Sequence, residues 1–486
     1  MELITTRELE NFGRNRRFIP DAYFEPQNEA ELIQILDRFP DRTFRAVGSL
    51  HSWSPVAQCD DVILSVRLFR YVTLCDPLVG QHNEVASAWV GAGIQIKHLI
   101  PQLLQLGWSM PSLGLVTEQT LAGAISTGTH GSGRTCLSAF VQAVRIARFD
   151  PQQNKAIIET IERGPLLAAA KCGLGNLGII VAIKLQLRRP FNIEEHWRAY
   201  PTLDEVLRAE AEFPLQQFYL LPWKWSYLAQ HRREVSNTSD WQEWLYRVYF
   251  FIAIDVCLHL IVLTAARLVR SKRFVKWLFQ EFLWRTIIKD WPVVGPSHRM
   301  LIMEHELFYH IEIELFVRRQ DLAPAIDFLQ KSLRWVGGEG ADLPDDFLHQ
   351  VADTGLAGEY QSARGSYCHH YPICVRRILP DDSLVSMTSG GDQDWYSISL
   401  ISYHHVSDRV GFFKAMNFIA KAMARLFAAR PHWGKHIPLT PAEISKLYPN
   451  LQEFKQVIRE FDPNGRFCNA WFQGLLDVDA NSPNAK

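Results

Sequence analysis

Residues 172–178 read CGLGNLG and match the spacing G-x-G-x-x-G at Gly173, Gly175 and Gly178. In a nucleotide-binding βαβ unit such a loop follows a strand and opens a helix, so that the helix N-terminus faces a pyrophosphate. Here the order is reversed. GPLLAAAK (164–171) is helix-like, and IIVAIKLQL (179–187) is β-rich. The context excludes a doubly wound dinucleotide fold. It leaves a close-packed glycine turn that lets main chain approach something flat or bulky.

Two further loops upstream share this character. STGTHGSG (126–133) surrounds His130 with small residues and hydroxyls, and the apolar LAGAI before it points to burial. Such a segment makes neither a good helix nor a central strand, and its physical use is a nest of main-chain N–H groups around phosphates. RAVGSLHSWSP (45–55) places His51 just past a Gly-Ser pair, between an apolar run ending at Val47 and a strand at Val62–Val66. None of the three loops carries a phosphate-loop lysine or metal-ligand spacing. Several backbone-rich loops in one domain fit an extended ligand such as a dinucleotide, held outside a Rossmann fold.

The remaining chain sets the frame. Of 486 residues 47% are hydrophobic and 21% charged, with a formal net charge of -1, so a large core is available and two or three packed units are expected. No basic excess is present to hold a phosphate backbone, which disfavours nucleic acid as a partner. The eight cysteines are scattered without a CxxC pair, and the charged N-terminus has no apolar signal core. These features predict a protein of a reducing compartment that is not secreted.

Up to about residue 190, β-rich runs alternate with glycine turns. FVQAVRIARFD and KAIIETI read as a hairpin, and ELIQILDRF as a helix. From Phe191 the texture becomes aromatic and charged, with strands at FYHIEIELFV and YSISLISYH and helices at DLAPAIDFLQKSL and VGFFKAMNFIAKAMARLFAA. Within this part Val248–Val269 is apolar over a length close to a bilayer core, flanked by Trp244 and Tyr246 before it and RSKRFVKW after it. Asp255 and His259, four apart, share one helix face. A buried domain helix and an in-plane, membrane-attached helix both fit, the polar pair turned toward protein or headgroups. A charged pair in lipid is costly, and a single span is least favoured because soluble-looking sequence with cofactor-type motifs lies on both sides of the stretch.

Taken together, RAVGSLHSWSP, LAGAISTGTHGSG, GLGNLGIIVAI, YPICVRRILPDDSLVS, RPHWGKH and FDPNGRF resemble the aldonolactone oxidases, a branch of the vanillyl-alcohol oxidase-type FAD-linked oxidases that includes gulonolactone, arabinonolactone and alditol oxidases. The resemblance runs from about residue 40 to 470. It implies a two-domain α+β flavoprotein: an FAD-binding domain over 15–190, a substrate domain over 191–430 containing the apolar helix 248–269, and a 431–486 segment returning to the flavin. It implies FAD attached covalently through His51. Arg45, Gly48, Ser49, Leu50 and Ser52 belong to the first cofactor loop. Gly123, Ser126, Thr127, His130, Gly131, Ser132 and Gly133 belong to the second, and Gly178 and Ile180 to the third. His432 and Lys435 match the tail motif beside the isoalloxazine, the lysine facing substrate. The implied reaction is oxidation of a CH–OH group of a sugar lactone or polyol, hydride passing to flavin N5 and electrons to O2 or a membrane acceptor. The apolar stretch 248–269 resembles one in membrane-bound gulonolactone oxidase, which suggests a membrane surface as partner; with the cysteine pattern and N-terminus this points to the cytoplasmic side, and no metal is expected.

One departure bears on the donor. Where the family has Pro-x-Glu-Val-Arg on a substrate-facing strand, this chain has Pro372-Ile373-Cys374-Val375-Arg376. Arg376 is kept, but a thiol cannot orient a polyol hydroxyl as a carboxylate does. Cys374, Arg376 and Lys435 are the expected catalytic group, with a flavin dehydrogenase acting on a less polar alcohol as one alternative and a membrane-associated flavin-binding subunit without its own turnover as another. Glu312 and Glu314, two apart on FYHIEIELF, could supply a carboxylate, but a solvated strand face is the favoured reading.

Overall fold

A computed structural model describes residues 7–75, 84–239, 241–265, 271–303, 309–340, 342–403 and 406–477. The last four residues of the apolar stretch, 266–269, lie outside them. Three sheets carry the functional part of the architecture. A small parallel sheet places Val62–Ser65 between Ala22–Phe24 and Phe44–Val47. Beside it lies a five-stranded antiparallel sheet in the order Val72–Leu74, Val85–Gly91, Ile179–Arg188, Val141–Phe149, Ala156–Ile161.

The expected hairpin is present, with Phe149 opposite Ala156 and Val144 opposite Ile161. The glycine motif leads from the helix Gly164–Lys171 directly into the central strand Ile179–Arg188, the reverse of a Rossmann loop. Gly178 sits at φ 133°, and a Cβ there would lie 2.5 Å from the Ala147 carbonyl oxygen, so only glycine admits this close approach. The tail helices Pro441–Leu447, Leu451–Phe461 and Ala470–Leu476 pack into the same core through Ile444, Phe454, Ile458 and Phe472.

The second domain is built on an eight-stranded antiparallel sheet. Its order is Val293–Pro296, Asn192–Tyr200, Tyr227–Val235, Gln217–Leu220, Ile373–Ile378, Trp395–Tyr403, His310–Arg318, Arg430–Pro431. The period of two along His310–Arg318 divides it cleanly. Ile311, Ile313, Leu315 and Val317 pack under the helices Leu322–Val336 and Val406–Phe427. Glu312 and Glu314 face the other way, into a cavity roofed by the helical stretch Gln242–Thr264. That stretch is one continuous rod whose middle, Phe250–Leu258, is wound as a π-helix. All eight cysteines are free thiols.

Candidate active site

The first two expected loops and the glycine turn converge. One groove is lined by Gly48, Ser49, Leu50, His51 and Ser52, by Gly123, Ser126 and Thr127, and by Gly178 and Ile180. Glycine, serine, alanine and threonine residues make up about half of its walls, with Leu50, Leu174 and Ile180 among the larger side chains. Leu50 holds a positive φ of 51°, and a Cβ added at Gly123 would meet only Thr120 Oγ1, at 3.2 Å, and otherwise fill the groove. At Gly48 a Cβ would come within 2.1 Å of Thr120 Oγ1. On one side the groove opens to a polar cavity of about 630 Å³ bordered by Gly48, Ser49, His51, Gln95 and Thr120. On the other it meets the roofed cavity, of about 690 Å³, with His51, Ser52, Gln119 and Thr127 lining both. An extended dinucleotide with a flat head group fits this succession of narrow, backbone-walled spaces, and His51 stands at the junction. Its ring stacks on Phe12, centroids 4.3 Å apart and planes 18° off parallel.

Several expected cofactor residues do something else. Arg45 lines the groove, but its guanidinium is buried and donates to the carbonyls of Leu174 (2.6 Å), Gly175 (3.0 Å) and Phe467 (2.7 Å) and to that of Val56. Burial lowers it to about 10, and the carbonyls hold it in place of a counter-ion. It therefore joins the first loop, the glycine turn and the tail rather than reaching outward. Gly131, Ser132 and Gly133 are not part of the groove. The Gly133 N–H donates to the Arg377 carbonyl and Ser132 Oγ to that of Gln216, and a Cβ at Gly133 would lie 1.9 Å from the Pro214 carbonyl oxygen. This end of the loop seals the two domains together. His130, between the two halves, turns into the roofed cavity.

The reactive end of that cavity is assembled from four segments. The favoured reading of Glu312 and Glu314 as a solvated strand face is overturned, because the roof removes water from that face and both are buried. Glu314 Oε1 lies 3.2 Å from His130 Nε2 and 3.9 Å from an Arg376 guanidinium nitrogen. His130 Nδ1 is 3.0 Å from the Gly131 carbonyl, an acceptor only. An imidazole placed between a carbonyl and a carboxylate has one acceptor too many unless a proton sits between ring and carboxylate, so the pair shares one. Burial alone would raise Glu314. His130, then His432 and Lys435, outweigh it and hold the carboxyl well below the usual range.

His130, Glu314 and His432 offer ligand-type atoms within 4.8 Å of one another. The Arg376 and Lys435 charges bearing on the same carboxylate oppose a dication there. Burial lowers His432 to about 3, and its Nδ1 accepts from the Gly434 N–H at 3.0 Å, so the ring is neutral with its proton on Nε2.

The tail motif stitches the two domains at this point. The His432 N–H donates to the Glu314 carbonyl and the Trp53 N–H to the Gly434 carbonyl, at 2.9 and 2.7 Å. Lys435 is not a solvated lysine. It forms an ion pair with Glu312 and its Nζ lies 3.9 Å from the centre of the Trp53 ring. Trp53, Glu312, Glu314 and Gln217 are the residues that sequence reasoning missed or set aside. The alternation of FYHIEIELF pointed to the two glutamates; no pattern in the sequence singles out Trp53 or Gln217.

Cys374 is buried on the rung Tyr219–Cys374–Ser399–Glu314, so the nearest carboxylate on that face stands two strands away from the position where the family has its own. Burial raises the thiol, which is neutral. Arg376 Nε donates to Gln217 Oε1 at 3.1 Å. Burial opposes its charge, but the Glu314 carboxylate beside it, 3.9 Å away, keeps the guanidinium protonated.

Away from this end the cavity becomes apolar, with Leu221, Leu228, Phe250, Ile254, Leu258 and Ile287 among its walls. Trp197 stacks on Phe250 at the far side, 5.5 Å between centroids. The polar groups on this stretch of floor satisfy one another: Arg232 with Glu195 at 2.6 Å, Gln217 with Gln230 at 2.6 Å. Asp255 and His259 do share a face, which borders the cavity, and the His259 ring bonds Tyr403 Oη at 3.0 Å.

Comparison with known proteins agrees with this geometry. Residues 20–149 match the FAD binding domain family, and residues 198–475 the D-arabinono-1,4-lactone oxidase family. A long-chain alcohol oxidase from an uncultured marine euryarchaeote is 45% identical over 97% of this chain and 98% of its own. The L-gulonolactone oxidase of Mus musculus is 24% identical over 96% and 98%. The cholesterol oxidase of B. sterolicum superposes with a TM-score of 0.72 at 15% identity, over 98% and 97% of the two chains, and shares the two-domain α+β fold. The chain belongs to the D-arabinono-1,4-lactone oxidase family of vanillyl-alcohol oxidase-type flavoenzymes, and is an FAD-dependent oxidoreductase acting on CH–OH donors.

Proposed function

We propose that the donor is a long-chain alcohol, bound with its hydroxyl among Glu314, Arg376 and Gln217 and its tail along the apolar floor. The observation that carries this is the shape of the cavity. From the Glu314 strand to the Trp197 strand the floor crosses five inter-strand spacings, or roughly 24 Å at about 4.8 Å each. An extended chain advances about 1.2 Å per bond, so this length accepts a tail on the order of 16–20 carbons. The name of the 45% identical relative supports the same donor class.

The three loops would hold FAD, which when bound would supply a two-electron acceptor that dioxygen could reoxidise with release of hydrogen peroxide. Glu314 takes the hydroxyl proton as the carbinol C–H leaves with its electron pair, and the alcohol becomes a carbonyl. Arg376 and Lys435 stabilise negative charge developing at the oxygen and on the acceptor. We assign the covalent tether to His51, which among the described residues is the one imidazole that lines both the groove and the cavity. The helix Gln242–Thr264 attaches the protein in the plane of a membrane, on its cytoplasmic side. Supporting this, Trp241, Leu245, Ile252, Leu260 and Ile261 are exposed while Tyr246 and Val262 are buried against the domain. A helix held against its own domain at both ends lies along a bilayer instead of crossing it.

A second reading, a sugar lactone or polyol donor, is favoured by the family match and by the cluster of polar groups at the reactive end. A series of primary alcohols separates the two. For alcohols presented as monomers in water, each methylene moved onto the floor contributes about 0.8 kcal/mol, or roughly a fourfold rise in kcat/KM, levelling off near the cavity length. A kcat/KM that is flat with chain length, with lactones or polyols turned over faster, would sink the long-chain donor and leave the flavin chemistry standing.

A further inference from the structure

The apolar helix is both the roof of the donor cavity and the most exposed apolar surface of the second domain. Two of its residues belong to both. Trp244 and Phe251 line the cavity and are 68% and 38% exposed, so the cavity reaches the surface between them. Around this mouth stand Trp241 at 77%, Leu245 at 44% and Ile252 at 53%, with Leu260 and Ile261 further along the same helix. The adjoining segment adds Phe274, Trp277 and Phe282, also exposed. Apolar side chains gathered this densely around an opening mark an interaction site. Residues 270–289 carry six Lys or Arg against one Glu, the charge balance that an anionic lipid surface attracts. The reactive end, at Glu314, is at the opposite end of the floor from Trp197, which stacks under Phe250 near the opening.

From this geometry we infer that the mouth opens into a lipid bilayer and that the donor enters laterally from the lipid, hydroxyl first, its tail still in the acyl layer as the head reaches Glu314. The inference rests on the long-chain donor proposed above. It adds that an alcohol already in the bilayer reaches the cavity without passing through water, so that for this route desolvating the tail is no part of binding.

The test uses the holoenzyme with hexadecanol in phosphatidylcholine vesicles containing about one-fifth phosphatidylglycerol, with hexadecanol in detergent, and with water-soluble butanol. The surface variant carries Leu245→Glu, Ile252→Glu and Ile261→Glu, three exposed positions that do not border the cavity. Lateral entry predicts that the parent rate follows the mole fraction of hexadecanol in the vesicle and not its bulk concentration. It also predicts that the variant oxidises butanol and detergent-borne hexadecanol as the parent does but loses roughly tenfold or more with vesicles. Equal vesicle rates for parent and variant, or a rate that tracks free alcohol in water, overturns the entry route while leaving the donor assignment intact. A parent inactive on all three presentations overturns both.

Discussion

Replacing Glu314 by Gln tests the reactive end at its centre. The substitution keeps the volume and one acceptor oxygen toward His130, which lies 3.2 Å away, so the rung and the interdomain stitching by the tail remain. What it removes is the carboxylate that receives the hydroxyl proton. General base catalysis by a positioned side chain contributes about 10²–10⁴ in rate, equivalent to roughly 2.7–5.4 kcal/mol of barrier at 1.36 kcal/mol per tenfold. Arg376 and Gln217 still hold the hydroxyl, so KM stays within about threefold while kcat falls by the full factor, the pattern of a group acting in the transition state. The assay is anaerobic stopped-flow reduction of the flavin by a long-chain alcohol, which isolates this half of the reaction from reoxidation. Thermal unfolding of the same variant within a few degrees of the parent shows that the loss is chemical. A Gln variant reducing its flavin at more than about a tenth of the parent rate, at equal flavin content, refutes the assignment of the proton to Glu314.

Other expectations follow from the same geometry. Flavin stays with the parent after acid precipitation and is released from His51→Ala; extractable flavin in the parent removes the tether but not the groove. Cys374→Glu places a second carboxylate on the Glu314 rung, where two buried like charges are unfavourable. The variant is expected to melt lower than the parent and to shift its donor preference toward polyols, read by melting curves and by kcat/KM for hexadecanol against sorbitol. Stability is expected to fall with acidification below pH 6.5. Burial lowers His369 and His432 from 6.5 to about 3, so between these values the unfolded chain binds protons that the folded protein does not. Each ring then removes up to about 1.4 kcal/mol per pH unit as pH drops. A melting temperature that is constant from pH 7 to 4.5 contradicts this.

Much of the architecture was legible because local patterns and global fold agree. The reversed order around CGLGNLG excluded one nucleotide-binding fold from the residues themselves, and the strand Ile179–Arg188 sits where that reading requires. The reactive end was harder to read for a physical reason. A strand with Glu at alternate positions looks the same whether its polar face meets water or a cavity, and the roof that decides the matter is a helix more than forty residues upstream. The bonding of Arg45 was hidden for a different reason: it lines the groove, but the carbonyls that hold its guanidinium belong to the glycine turn and the tail, far away in sequence. The loop 126–133 was read as one unit, yet it divides at His130 into a cofactor half and a domain-sealing half, which spacing alone does not reveal.

The most direct measurement of the central claim is the anaerobic bleaching of the bound flavin across a panel of hexadecanol, butanol, sorbitol and a sugar lactone, followed by admission of air. A long-chain donor bleaches the flavin fastest as hexadecanol, and hydrogen peroxide is released when oxygen returns. Retained yellow colour with hexadecanol, alongside rapid bleaching by the lactone or sorbitol, contradicts that donor.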